Sequence, residues 1–535
     1  MAEQTIATSP SAPRRRLSVN TAIFAIGTAV SRVAGLAREI VAASYFGTGG
    51  PASAFTIASQ IPNLMSNLFA QSALSAAFVP VFTDLLQQGR KREAFRLAST
   101  LLWIILVALG ALTAIGILAA GLIMPLFTGS SFNHALDELT AGLAQVLFPV
   151  VLLLGITGLL VGILQSYDEF TIPALAPAVW NIVILIGLVV LHPHFAPGKR
   201  IYAYAIAWLI ATVVQLLLIA SAMRRIDFRL QLSIDWRDPR VRQVFMLMLP
   251  VTIGLGIVNL DQLLNSTFGT LVSKQAPRAI DNAFRIYMLP QGVFSVAVAT
   301  VLFPTLSRLA ARGEVAGMRH AVGNGIRQIN LLLIPSAAVM MVLATPITRL
   351  VFQRGEFGAY STHLVSIALF WFAFSLPFGG VNLLLTRTFF AVQRPWIPTG
   401  LAALNMVVDI IVSVALYKPL GIAGLVIGTA AANVVMAALQ YRRLRAGFNG
   451  QLEGAHTVMI TVRILVGSVL LGGISWVLWK ALDSLLGRSL PAQIVSVGVS
   501  IGVGILVYAR AALAMRIPEA RQIETLVLGR LRGTA

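Results

Sequence analysis

Long apolar stretches separated by short polar connections recur along nearly the whole chain. Windows of about 20 or more mostly apolar residues, the length a helix needs to cross a hydrocarbon core, fall at 19–46, 53–87, 96–126, 139–165, 172–193, 201–223, 240–272, 279–310, 321–345, 361–391, 396–417, 421–441, 458–481 and 489–513. The pattern predicts an all-α polytopic membrane protein with about 14 transmembrane helices. An even number of crossings puts both termini on the same side.

The connections carry the charge, and their asymmetry sets the orientation. One alternate set of loops and helix ends holds twenty Lys and Arg, among them Arg14–Arg16, Arg90–Arg92 and Arg442, Arg443 and Arg445. The other set holds eight, among them Lys199, Lys274, Arg278 and Arg488. Excess positive charge marks the cytoplasmic side, so both termini of a multi-pass protein are expected in the cytoplasm.

Composition agrees. Only 11% of the residues are charged and 57% are hydrophobic, with a mean hydropathy of +0.84, against about 25% charged in soluble domains. The net charge of +20 follows the loops and gives no support to nucleic-acid binding. The absence of cysteine excludes disulfides and thiolate chemistry. Arg14–Arg16 before an apolar run imitate a signal peptide, but the run is long and contains Arg32 and Arg38, which reads as an uncleaved first span.

The chain also repeats itself. Pro80 and Gly89 are echoed by Pro304 and Gly313; Ile172-Pro173 and Asn181 are echoed by Ile397-Pro398 and Asn405, all at offsets of 224 or 225 residues. Six spans separate the copies, so the halves share an orientation and form a parallel repeat. The expected organisation is an N-terminal tail 1–18, a six-helix lobe 19–223, a basic linker 224–239 and a second six-helix lobe 240–445. Two extra C-terminal helices at 458–513 and a cytoplasmic tail 514–535 follow.

Three groups of residues carry candidate chemistry. Ser31-Arg32-Val33-Ala34-Gly35-Leu36-Ala37-Arg38-Glu39 puts ionisable groups inside the first span, and such residues mark functional cavities by default. Arg32 and Arg38 lie about 240° apart on a regular helix, so Gly35 is expected to let the helix bend or unwind. Snorkelling to a headgroup is the alternative, better suited to Arg38 than to Arg32. On the second span Asn63, Asn67 and Gln71 form a polar stripe at i,i+4 spacing, either lining a cavity or gluing helices together. With Arg285 on the eighth span, Arg32 and Arg38 would make a cationic cavity suited to phosphate or pyrophosphate.

The third group combines Asn265 with Asn405, Asp409 and Thr429. Oxygen ligands with one carboxylate suit a hard cation such as Na⁺; interhelical hydrogen bonding by a neutral Asp is the other reading. No phosphate-binding G-x-x-x-x-G-K-[ST] loop occurs, so ATP is not expected as a partner. The buried acids are scattered singly and the six histidines lack ligand spacing, so the chain does not read as an enzyme.

Several segments together resemble the MurJ/MviN family of lipid II flippases, within the superfamily of multidrug, oligosaccharidyl-lipid and polysaccharide exporters. They are Ser31-Arg32-Val33-x-Gly35-x-x-Arg38, Pro62-Asn63-Leu64, Ala77-Phe78-Val79-Pro80, Ile172-Pro173-Ala174-x-Ala176-Pro177, Leu289-Pro290-Gln291-Gly292 through Pro304-Thr305-Leu306-Ser307, and Phe352-Gln353-Arg354-Gly355-Glu356-Phe357. The resemblance implies export of lipid II, an undecaprenyl-pyrophosphate-linked sugar-peptide, by alternating access in peptidoglycan and cell-wall biogenesis. It assigns Arg32, Arg38 and Arg285 to the pyrophosphate, Asn265, Asn405, Asp409 and Thr429 to a Na⁺ site, and 458–513 to a groove for the lipid tail. A monomer among membrane lipids is expected, with no cofactor beyond a coupling ion. Family charges are replaced at Ser53, Ser66, Asn67, Phe284 and Met288, and Asn265 stands where an Asp is expected. Another polyprenyl-linked oligosaccharide as cargo, or a non-transporting scaffold role, therefore stands beside lipid II.

Overall fold

The computed structural model describes residues 11–69, 72–231, 235–448 and 452–531, and these form helices and turns only. Each apolar window of the sequence lies on one helix or on two abutting ones. Helices α1 (Ser11–Phe46), α2 (Gly50–Phe69), α3 (Ser72–Gln87) and α4 (Lys91–Ile123) open the chain. The window 139–165 is divided into α5 (His134–Leu147) and α6 (Pro149–Ser166), because Pro149 supplies no N–H and starts a new helix. Then come α7 (Thr171–Leu191), α8 (Ile201–Ala222) and α9 (Pro239–Val272).

The window 279–310 holds α10 (Ala276–Pro290) and α11 (Val296–Ala311), joined by a π-helical turn at Gln291–Ser295. Such wide turns carry an extra residue and concentrate at functional sites. A paired glycine opposite makes room for it. A Cβ on Gly380 would lie 2.8 Å from Ser295 Oγ, and one on Gly379 would lie 3.3 Å from Gln291 Nε2. The chain continues through α12 (Val315–Val342), the short α13 (Ala344–Phe352), α14 (Ala359–Ala391), α15 (Trp396–Leu420), α16 (Ile422–Gly447), α17 (Gly454–Leu486) and α18 (Leu490–Ala514). The segment expected as a tail contains α19 (Pro518–Leu531).

Among the described residues, eleven helical segments are long and apolar enough to cross a membrane. Their outward faces confirm the solvent. Leu118 and Leu122 of α4, and Leu126 in the 3₁₀ turn that follows it, are 75–85% exposed, a ridge that water would penalise and lipid accepts. The chain is a multi-pass membrane protein.

The chain divides into two compact units. The first gathers the described residues up to Ala42 with Ala54–Thr128 and Phe132–Leu263; the second holds Ala43–Ser53, Gly129–Ser131 and the described residues from Leu264 onward. In the first, α7 packs along α8, and α6 lies against α3, α4 and α8. In the second, α14 is central, touching α10, α12 and α16, while α15 pairs with α16 and α17 with α12 and α18. Gly89 and Gly313, the echoed glycines, both adopt a left-handed φ, +74° and +67°, the conformation glycine supplies after a helix end. α19 is bolted to α12: Arg327 donates to Glu519, both nearly fully buried, and to Glu453 at 2.7 Å.

Candidate functional site

In the first unit the chemistry centres on Arg38. Its Nη1 donates to Asn181 Oδ1 of α7 at 2.9 Å and its Nε to the neighbouring Glu39 at 3.1 Å. Tyr204 of α8 donates to the same Glu39 oxygen at 3.1 Å. The guanidinium lies 5.2 and 5.3 Å from the ring centres of Trp180 and Trp208, within cation–π range. Arg38 is 4% and Glu39 1% exposed. A buried charge survives in this way, neutralised and hydrogen-bonded on every side.

Helix α1 runs unbroken through Gly35. The expected unwinding is absent because Gly35 serves another end: its open side faces the Asn181 amide, which a Cβ would touch at 3.5 Å. A continuous helix keeps Arg32 and Arg38 on different faces, and Arg32 is exposed while Arg38 is enclosed. Asn63 is half-buried on α2. Gln71 and the side chain of Asn67 lie outside the described residues.

In the second unit, α10 carries Arg278, Asp281 and Arg285 at three- and four-residue spacing, so they share a face. Asp281 Oδ2 accepts from Arg278 Nη1 at 3.1 Å and from Arg285 Nε at 3.0 Å, with Arg285 Nη2 also at 3.0 Å. The three side chains are 3%, 9% and 32% exposed in that order. The backbone N–H of Arg278 donates to Ser53 Oγ at 3.3 Å.

The oxygen group also assembles within the second unit. Asp409 is 2% exposed. Its Oδ2 accepts from Asn265 Nδ2 of α9 at 2.9 Å and from Thr429 Oγ1 of α16 at 3.2 Å, and its Oδ1 from Ser413 at 3.0 Å. Asn405 sits one turn earlier on α15, and its buried Oδ1 has no hydrogen-bond partner among the described residues. Gly428 lets α16 approach this closely, since a Cβ there would lie 2.6 Å from Asp409 Oδ1. Among the described residues no three His, Cys, Asp or Glu side chains are grouped to hold a metal.

Sequence reasoning missed Asn181, Tyr204 and the two indoles around Arg38, since nothing local signals contacts 140 or more residues away. It counted Arg278 with the loop charges and passed over Asp281. The available signal was the Arg-x-x-Asp-x-x-x-Arg spacing, which is helical. A cavity of about 580 Å³ between the ends of α11, α12, α14 and α16, rimmed by Arg394 and Arg443, contains none of these groups.

Comparisons with known proteins match this architecture. A probable lipid II flippase MurJ of Vibrio cholerae serotype O1 is 26% identical over 520 residues, covering 94% of this chain and 97% of that protein. The lipid II flippase MurJ of Burkholderia cenocepacia is 28% identical over 405 residues, covering 74% and 78%. A solved structure of lipid II flippase MurJ in an inward closed conformation superposes with a TM-score of 0.78 at 22% identity, covering 92% of this chain and 98% of that one. An inward-facing multidrug resistance MATE family transporter of the MOP superfamily shares the fold at a TM-score of 0.68 and 16% identity, covering 79% and 96%. The family model described as lipid II flippase MurJ matches residues 42–493, and the chain belongs to that family.

Proposed function

We propose that this chain moves lipid II from the inner to the outer leaflet of the bacterial plasma membrane by alternating access, as a transporter rather than an enzyme. The observation that carries the reading is the family match across residues 42–493. The residues support it chemically. The half-exposed guanidinium of Arg285 and the exposed one of Arg32 suit bidentate recognition of a diphosphate. Arg38 is the third guanidinium assigned to the ligand; enclosed by Glu39, Asn181 and two indoles, it anchors α1 in the arrangement seen. Charge asymmetry between loops supports cytoplasmic termini, and the apolar outer faces of α17 and α18 suit a lipid tail. The working unit is a monomer that needs no ATP.

The reset of the cycle is assigned to Na⁺ or to the membrane potential. Asp409, Thr429 and Asn405 would hold the ion, and the orphan Asn405 Oδ1 is the observation that favours one. Asn265 meets Asp409 through its amide nitrogen, which serves the ion-free arrangement. A bound cation would add one positive charge beside Asp409. Moving one charge through 100 mV is worth about 2.3 kcal/mol, enough to bias two states a few kcal/mol apart.

Complementation of a bacterium depleted of its own flippase tests the central reading. Rescue is expected, and it should be lost with Arg285→Lys nearly as fully as with Arg285→Ala, because an ammonium does not reproduce the planar fork. Failure of a well-inserted protein to rescue rejects lipid II. It would favour another polyprenyl-linked glycan, the reading suggested by uncharged Ser53, Ser66, Asn67, Phe284 and Met288. Rescue that survives lysine at both Arg32 and Arg285 would make these arginines generic charges or structural snorkels.

A further inference from the structure

The second unit holds another arginine inside an apolar span, Arg387 of α14. It is half-buried, and its side chain makes one hydrogen bond among the described residues, from Nη1 to Thr300 Oγ1 of α11 at 3.4 Å. Arg38, Arg278 and Arg327 each meet a carboxylate. Arg387 meets none among the described residues, although an intramembrane arginine is expected to pair or to face a functional cavity.

Its depth argues against snorkelling. The ends of α11 and α14 are level, since Ala311 and Ala391 line the same cavity. Arg387 lies four residues before the end of α14, about 6 Å of helix, whereas Thr300 lies eleven before the end of α11, about 16 Å. The side chain therefore reaches away from the helix ends, in the N-terminal direction that a helical Cβ points. A snorkelling arginine turns the other way, toward the nearest headgroups.

Thr300 identifies the wall on which this cation lies. A stripe of exposed residues runs along α10 and α11 from the partly exposed Arg285 through Leu289, Val293, Ala297 and Thr300 to Arg308. Steps of three and four residues keep to one helix face. Arg308 also donates only to a hydroxyl among the described residues, Thr305 Oγ1 at 3.4 Å. One wall thus carries guanidinium groups at three levels, Arg308, Arg387 and Arg285. The end with Arg308, Arg312 and Arg394 is the one that the loop charges assign to the cytoplasm. A long bond to a neutral hydroxyl is cheaply exchanged for a charge-assisted one to a phosphate oxygen.

We infer that Arg387 is a second diphosphate-binding residue, a holding point between the Arg308 end of α11 and Arg285, with Thr300 as its resting partner when no anion is bound. The inference rests on the reading of Arg285 as a diphosphate ligand.

The chain has no cysteine, so a single Ala297→Cys, one turn from Thr300 on the stripe, reports on this wall alone. Full-length protein in detergent micelles is reacted with a charged methanethiosulfonate, with and without undecaprenyl pyrophosphate. Labelling is expected because the wall faces water, and the lipid should slow it. In the Arg387→Gln background the same protection should need about tenfold more lipid, the scale of one hydrogen bond to a charged group. Arg387→Lys, which keeps the charge, should recover part of that loss. Phosphatidylglycerol should protect poorly throughout.

Absence of labelling at Ala297→Cys places the stripe against acyl chains and overturns the inference. Protection unchanged by Arg387→Gln also overturns it. Protection by phosphatidylglycerol that equals that of the diphosphate, and falls equally with Arg387→Gln, assigns the arginine to membrane headgroups and overturns it as well. Native mass spectrometry of Arg285→Ala with undecaprenyl pyrophosphate separates the two readings. Weakened binding there beside an unaffected Arg387→Gln removes the inference and leaves Arg285 its role. Wild-type binding by Arg285→Ala rejects the reading of Arg285, and the inference falls with it. If neither Arg387→Gln nor Arg387→Lys yields monodisperse protein, Arg387 belongs to folding and the inference is overturned.

Discussion

Arg38 and Glu39 are neighbours in the chain, yet their partnership is enforced by what surrounds them. Both are nearly inaccessible, with Asn181, Tyr204, Trp180 and Trp208 closing the shell. Removing one member of such a pair leaves a buried charge uncompensated, which costs about 3–5 kcal/mol. Glu39→Gln should accordingly lower the thermal unfolding temperature in detergent well beyond Glu138→Gln, a change at an exposed position. Equal shifts would show that the shell tolerates an unpaired arginine. The charges themselves were legible in the sequence because ionisable residues stand out in apolar spans. Their partners were not, because Asn181 lies 143 residues away and an aromatic in a membrane span looks like any lipid-facing residue. The oxygen group was more legible: the i,i+4 spacing of Asn405 and Asp409 forecasts a shared face, and the structure adds Ser413 from the same face. Asp409→Asn should abolish sodium dependence of transport if that group binds the ion and be nearly silent if it only ties helices together.

At the scale of elements, apolar windows forecast where helices lie because a backbone in lipid has no other way to satisfy its polar groups. They did not forecast where those helices break. Pro149 starts a helix inside one window, and the π turn interrupts another without any local composition change. Helix α19 was illegible for a different reason: it is too short and polar to announce itself, and its anchor is one residue, Glu519. The bolt joining it to α12 is ionic, and its Arg327 is shared with Glu453, through which it should respond to pH. Burial raises the pKa of Glu453, but hydrogen bonds from Arg327 and His320, with their charges, outweigh that and hold it below its ordinary 4.5. A depressed carboxylate stabilises above its ordinary value and loses that contribution as the pH falls through the lower folded-state value. Limited proteolysis should therefore release the C-terminal segment faster well below pH 4.5 than at neutral pH. Arg327→Gln should release it already at neutral pH. Release that is unchanged in both cases would place the hold in apolar packing around the fully buried Ile517.

For the whole molecule, the chain divides into two compact units, each of which carries its own charged or oxygen-rich cluster. The echoed Gly89 and Gly313 stood out in the sequence because glycine with a left-handed φ after a helix end has few substitutes. The contents of the clusters were not legible, because the two echoed asparagines have different surroundings: Asn181 accepts from an arginine, while Asn405 Oδ1 accepts from nothing among the described residues. The π turn at Gln291–Ser295 bears on the whole in another way. It acts as a phase offset between two cylinders, setting the azimuth of Arg285 against everything fixed to α11. Deleting one residue from it would restore a plain α-helix and turn the arginine by about 100° without altering any group it carries. Loss of Val293, a 56% exposed side chain, should thus abolish complementation, whereas Val293→Ala should leave it intact. At these five positions the chain is constrained in length more tightly than in identity.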